Sequence, residues 1–473
     1  MQKCQFTQDR LVSLTAALLI FAVTGCGTKA NSTTKPPDTT PPVASNPGPR
    51  TYFAPYVAGT TNGNAITLLT GPKIYTVDDS SNKFSQSIFA LPQGPQVINA
   101  GTMTAPQNGL LSLTDTVNYT KPGGSYVPNT SNLPNPGFAI ELPDQAGGLV
   151  QLAGQPMSPL VAALQCPVLA SAQTWQFLTI PGGLYVGEDQ IAATWNPMTD
   201  TAYGTVDITS DGTSVTLTNI HQYTLPSVGG SGVPAQQPSS PLTGLCGSTV
   251  LGSTISVPGQ EIVKNPGTGS GTPPQATIGI GPTGLMVEHN GAGDPSTGTL
   301  PNTSPALEYN NVLGAGTGAI GLPKPSSALD TGALLGTKYL GFVYGAGVSD
   351  GNPSAPPTGW SSHLVSFGLP ATTSGCPSVG SGTTIYGGDF PNDDPSTAPG
   401  GIGNCDVAID LGSQDAAGLF SNATVYFTSS YAAGKANSFP AVAIAGKLGN
   451  NYTIFLLGFD STQPWAIYLL QSN

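Results

Sequence analysis

The densest group of metal-capable side chains is Gly388-Asp-Phe-Pro-Asn-Asp-Asp-Pro-Ser-Thr397, which holds Asp389, Asn392, Asp393 and Asp394. Calcium takes roughly six to eight oxygen ligands at one point, and a loop dense in Asp and Asn supplies them. These four residues are the candidate Ca²⁺ ligands. Asp406 and Asp410 follow shortly, and Asp78-Asp79 is a lesser candidate. The spacing is not D-x-[DN]-x-[DN]-G, so the competing reading is a turn rich in solvated acids.

Other chemistry is sparser. The chain has three histidines, His221, His289 and His363. Three imidazoles can hold zinc with an open fourth position, but no H-E-x-x-H occurs and the separations are long. Ser80-Ser-Asn-Lys83 fits S-x-x-K without the K-T-G that accompanies it in β-lactamases, and its Asp/Ser/Asn context reads as a turn. Gly316-Thr-Gly-Ala-Ile-Gly321 fits G-x-G-x-x-G but lacks a following helix pattern, and reads as a glycine-rich loop. Among Trp175, Trp195, Trp360 and Trp465, Trp360 suits a sugar-stacking loop, while Trp175 and Trp465 sit in strand patterns and read as core. Glu188-Asp189 has no partner that spacing can assign for glycoside hydrolysis.

The elements that must position these residues are strands. Short apolar or alternating runs are separated by Gly/Pro/Asn/Asp/Ser clusters from Arg50 onward. Val206–Thr218 reads as a hairpin turning at Asp211-Gly212, and Ala276–Val287 as another turning at Pro282–Gly284. Ala441–Gly446, Tyr452–Phe459 and Trp465–Leu470 read as an antiparallel meander. Helical periodicity is weak and confined to Ser158–Ala163 and Ser326–Leu335. Ile454–Phe459 is apolar on both faces, which places it between two layers. The fold class is therefore all-β, antiparallel and multi-sheet. A β-propeller-like arrangement is favoured over a sandwich or barrel, although no period of 40–50 residues repeats. Residues 51–473 form the folded body, with a sub-boundary near 155–166. Long polar loops, such as Val228–Pro241 and Phe390–Gly403, interrupt it.

Composition narrows the class further. Only 8% of 473 residues are charged, with 13 Lys+Arg against 25 Asp+Glu and a net charge of −12. A chain of that sign repels phosphate, so nucleic acid is not a partner. Glycine (62) and proline (45) exclude a helical bundle or coiled coil.

The N-terminus supplies an address. Lys3 and Arg10 precede the apolar run Leu11–Val23, which is too short for a bilayer span of roughly 20 residues and fits a signal-peptide core. The run ends in Val23-Thr24-Gly25-Cys26, which resembles the lipobox of bacterial lipoproteins. The resemblance implies removal of residues 1–25, lipidation of Cys26, and attachment to the cell envelope through the N-terminal lipid. Gly27 in place of Asp points to the outer membrane in a diderm cell. Residues 26–50 are rich in Pro, Thr and Ser and read as a disordered tether, extended at roughly 3.1 Å per residue. The folded body itself resembles only bacterial lipoproteins as a broad class.

Of six cysteines, Cys4 leaves with the signal peptide and Cys26 takes lipid. Cys166, Cys246, Cys376 and Cys405 remain for two disulfides in an oxidising compartment. The pairing Cys166–Cys246 and Cys376–Cys405 keeps each bridge within one contiguous stretch, against two other connectivities.

Taken together these features describe a lipid-anchored envelope lipoprotein with an all-β binding or scaffolding domain. Its partners would be the membrane, through the lipid, and a glycan or another envelope protein. The alternative is an envelope-anchored hydrolase, glycan- or ester-directed, on a propeller-like scaffold. That alternative requires histidines and acids to converge on one concave site.

Overall fold

The structure is a computed structural model. It describes residues 49–54, 59–62, 65–68, 73–90, 94–104, 109–120, 127–130, 137–151, 157–162, 168–180, 202–225, 242–245, 257–258, 275–291, 318–346, 360–370, 373–380, 382–390, 405–428, 438–459 and 464–472. Gly48–Asn473 form one compact unit. Among the described residues, no helix is long and apolar enough to cross a membrane.

Three antiparallel sheets follow one another along the chain, with a two-stranded hairpin, Gly59–Asn62 with Ala65–Leu68, beside them. The first is a nine-stranded row running from Gly94–Met103 through Lys83–Ala90, Lys73–Asp78, Arg50–Ala54, Ser158–Val161, Gly147–Gln151 and Gly137–Glu141 to Leu110–Thr120 and Val127–Asn129. Gly94–Met103 also pairs with Leu110–Thr120, so the row bends back and nearly closes as a barrel. The second sheet has eight strands and centres on Val168–Thr179, flanked by Ala202–Asp211 and Gly318–Pro323. The third is a closed eight-stranded barrel from Tyr339–Ala346 to Pro464–Gln471, whose first and last strands pair.

Alternation along each barrel strand sorts the side chains. Val343, Val365, Phe367, Ile409, Ile454, Leu456, Trp465 and Ile467 fill the interior. Phe342, Leu364, Val442, Phe455, Leu457 and Tyr468 point outward, into a core shared with Leu178, Leu285, Val287, Ile320 and Leu322 of the second sheet. The same core takes in Leu110, Phe138, Ile140 and Leu149 of the first. The opposite face of the second sheet carries its own core around Trp175, Phe177, Val206 and Leu217.

This arrangement corrects the propeller expectation. Ile454–Phe459 is apolar on both faces because it is a barrel wall covered from outside, not the middle of a blade. Both architectures bury a strand twice, so they leave the same signature in sequence. The predicted hairpins and C-terminal meander are present as strands Ala202–Asp211 with Ser214–Thr224, Gln275–Ile280 with Met286–Gly291, and Ser438–Leu448 to Pro464–Gln471. Asp211 closes the first turn by accepting from the N–H groups of Thr213 (2.8 Å) and Ser214 (2.7 Å), and Gly212 supplies the positive φ of 89°. Of the two weakly helical stretches, Ser158–Val161 is a strand and Thr331–Leu335 a short helix. Asp330 caps that helix, and Leu334 and Leu335 join the barrel's inner core. Gly318–Gly321, read from sequence as loop, lies in a strand of the second sheet, where a Cβ at Gly321 would meet Met286 Cε at 2.6 Å.

Candidate functional site

Two groups of buried polar residues stand out. The first lies at the start of the compact unit Gly48–Asn473. Arg50 opens its strand, and its side chain shares an interior face with Tyr52, while Glu141 ends the strand Gly137–Glu141 on the same interior. The Arg50 guanidinium donates to Glu141 from Nε (3.1 Å to Oε1) and Nη2 (2.9 Å to Oε2). It also grips Asp79 through Nη1 and Nη2, the latter at 3.0 Å. Tyr52 Oη donates to Glu141 Oε1 at 2.6 Å. Burial, then the Glu141 charge, pushes the Tyr52 phenol well above its ordinary range, so it stays a donor. The ion pair therefore crosses the inside of the near-barrel, and Asp79 closes it from the following turn. Deeper in, Gln86 donates to Tyr75 (2.7 Å) and Asn99 to Asp115 (2.9 Å), so these interior polar groups are paired as well.

The Asp78-Asp79 pair is taken up by protein partners. Asp79 is an arginine partner, and Asp78 accepts from Ser80 N (3.0 Å), Ser80 Oγ (2.6 Å) and Ser81 Oγ (2.7 Å) in a turn. The same turn accounts for Ser80-Ser-Asn-Lys83.

The second group lies along the barrel strands Trp360–Gly368, Thr384–Asp389 and Val407–Asp410. His363 pairs across to Val343 and shares its inward face, and only 3% of it is exposed. Its Nδ1 stands 4.0 Å from Asp389 Oδ2. On the outer face, Gly388 pairs with Ser366 on one neighbouring strand, and Asp406 immediately precedes the strand Val407–Asp410 on its other side. Gly388 leaves room there: a Cβ would meet Asp406 Oδ1 at 1.7 Å. Burial pushes the Asp406 carboxyl up to about 6, against the pull of the Asp406 and Asp389 backbone N–H groups. Asp406 Oδ1 and Ser366 Oγ are both buried without a hydrogen-bond partner. The disulfide Cys376–Cys405, with Cα atoms 4.9 Å apart, joins this strand end to the turn at 373–376.

Of the four candidate calcium ligands, Asp389 is placed here, while Asn392, Asp393 and Asp394 lie outside the described residues, as do Cys166, Cys246, Cys26, Trp195, Glu188 and Asp189. Among the described residues no group of three or more His, Cys, Asp or Glu side chains could hold a metal ion. The histidines do not converge. His221 and His289 are four strands apart in the second sheet, and His363 belongs to the barrel. Trp175 and Trp465 are core residues, at 2% and 1% exposure.

Arg50, Glu141 and Tyr52 escaped the reading of the sequence, and Asp406 was noted there only as an acid following the Asp389–Asp394 loop. One signal was available: Arg50 is an arginine in a chain with 13 Lys+Arg, placed where Pro-rich sequence gives way to alternation. Nothing in the sequence pairs it with Glu141.

No protein-family model matches the chain, and no curated protein matches it. Among solved structures it is similar to isotype 1 transferrin binding protein B from serogroup B Neisseria meningitidis. That likeness has 10% identity, 90% of this chain and 77% of that one covered, and a TM-score of 0.23. A mutant of transferrin binding protein B from Haemophilus parasuis Hp5, described as a vaccine antigen, gives 9% identity, 90% and 76% coverage, and 0.21. Intact Ap-TbpB, with N and C lobes, gives 9% identity, 89% and 76% coverage, and 0.18. At these scores the likeness assigns neither fold nor ligand to this chain, and both rest on its own residues.

Proposed function

We propose that this chain is a lipid-anchored envelope lipoprotein that holds an all-β binding or scaffolding domain away from the membrane on a tether. The observation that carries the reading is the Arg50 clamp. Any pull transmitted from a lipid on Cys26 through residues 27–49 enters the fold at Arg50. There it meets a buried guanidinium fixed by two carboxylates, on a strand flanked on both sides by Lys73–Asp78 and Ser158–Val161. Pairing with a strand on each side and this ion pair tie the junction into the body.

The test is the fate of Cys26. The full chain, expressed with an alkyne fatty acid, takes up label and sediments with the membrane fraction. Cys26→Ala loses the label and stays soluble with its fold intact. Label retained in Cys26→Ala, or a wild-type chain found free of membrane, overturns the anchor.

A further inference from the structure

The barrel and the second sheet meet along a seam bridged by Gln176, and the second sheet carries aromatic and polar side chains on that side. Tyr203 and Tyr223 are cross-strand neighbours, half-buried, with ring centroids 5.5 Å apart and planes tilted by 33°. The base of Tyr203 packs on the shared core beneath the barrel. Thr205 and His221 are the next cross-strand pair on the same face, and His221 is exposed.

The barrel contributes the other wall, the turn before Leu419–Phe427. Gln414 fixes this turn by accepting from Gly418 N (2.6 Å) and Leu329 N (3.0 Å). Asp415 is held by Ser421, whose N–H (2.7 Å) and Oγ (2.6 Å) both donate to Oδ2. Gln176, next to Thr205 in register, spans the seam by donating from Nε2 to Ala417 O at 2.7 Å. It is 1% exposed, yet its Oε1 has no partner. The Tyr203 phenol is held above its ordinary range by burial first, then by Tyr223 and by the Asp415 carboxylate.

We infer that this seam binds a neutral, hydroxyl-rich carbohydrate, with Tyr203 and Tyr223 as the stacking floor and Asp415, His221 and Thr205 as hydrogen-bonding walls. The inference names a ligand class for the binding role proposed above and is independent of the lipid. Three observations select this occupant. Two half-buried phenol rings, tilted by 33° to one another, offer apolar faces edged by hydroxyls, which match the mixed faces of a sugar ring. Asp415 is pre-fixed by Ser421, so holding it costs a ligand little ordering entropy. The strands Ala202–Asp211 and Ser214–Thr224 and the segment Leu411–Asn422 contain no Lys or Arg, and the chain carries −12. An anionic sugar or an acidic protein segment would meet repulsion there.

The full chain in detergent is titrated with maltohexaose, chitohexaose and, as the anionic control, a hyaluronan hexasaccharide, by calorimetry at millimolar sugar. At least one neutral hexasaccharide binds and the hyaluronan fragment does not. Tyr203→Ala and Tyr223→Ala each weaken binding about tenfold, Tyr223→Phe keeps it within about threefold, and Asp415→Asn weakens it about three- to tenfold without touching the rings. Thermal melts confirm that each variant is folded, and Asp415→Asn stands in if an alanine variant is not. Silence from both neutral sugars, equal binding of hyaluronan, or affinity unchanged in Tyr223→Ala and Asp415→Asn overturns the inference. A chain lipidated at Cys26 that binds no sugar loses the seam alone. A chain that binds sugar but is not lipidated loses the anchor alone.

Discussion

Asp406 shows how one neighbour without a side chain can set the state of a carboxyl. Gly388 lets it lie over the sheet, burial raises it to about 6, and one oxygen is left without a partner. In an unfolded chain the same carboxyl ionises near about 3.9. Between these two values the folded state holds the extra proton. Stability therefore falls as pH rises through that window and levels off above it. Asp406→Asn removes the ionisation. Its gain over the wild type should be near zero at about pH 4 and reach up to about 2–3 kcal/mol at about pH 7, read from urea unfolding. A difference that does not change with pH would sink this account. Arg50 is the opposite case, a buried charge given two carboxylates and a phenol within reach of one, so that it stays ionised in the interior.

At the scale of elements, the barrel's least regular stretch is stapled. The strands Trp360–Gly368, Thr384–Asp389 and Val407–Asp410 are linked by long segments, and Cys376–Cys405 closes 29 residues of that chain. Constraining a loop of this length in the unfolded state is worth roughly 3–4 kcal/mol. The double variant Cys376→Ser/Cys405→Ser should lose about that much, read as a lower urea midpoint under oxidising conditions. Equal midpoints for both proteins would mean that strand pairing alone holds the segment. The alternating strands were legible because one face of each meets a core: Ala202–Asp211 alternates buried and half-buried from end to end. The doubly covered strands were legible as buried but not as barrel wall.

The whole body is joined by one core that runs from the first sheet through the second to the outside of the barrel. Phe455 sits in it, fully buried and edge-on to Tyr468 at 5.6 Å and 72°. Phe455→Ala removes contacts on the barrel's outer face rather than inside it. It should cost about 3–5 kcal/mol. Because the core is shared, hydrogen exchange should show amides of the second sheet, around Leu178 and Ile320, losing protection together with those of the barrel. Loss confined to the barrel would show that the sheets are stable independently.

The sequence by itself determined the features that depend on neighbours along the chain. Alternation needs only a strand and one apolar side, so the all-β class and the C-terminal meander could be read directly. Turns such as Asp78–Asn82 and Asp211–Ser214 are closed by side chains two or three residues away, so they too were visible. The Cys376–Cys405 bridge is within reach of a short closed loop. Only the tertiary structure decided the closure of the barrel, which depends on the pairing of Tyr339–Ala346 with Pro464–Gln471. It alone brought Arg50 to Glu141, set Asp406 over Gly388, and joined Gln176 to Ala417 across the seam. Each of these meetings joins residues that are distant in the chain or on separate strands. Their positions follow from strand register and sheet curvature, which a linear pattern does not encode.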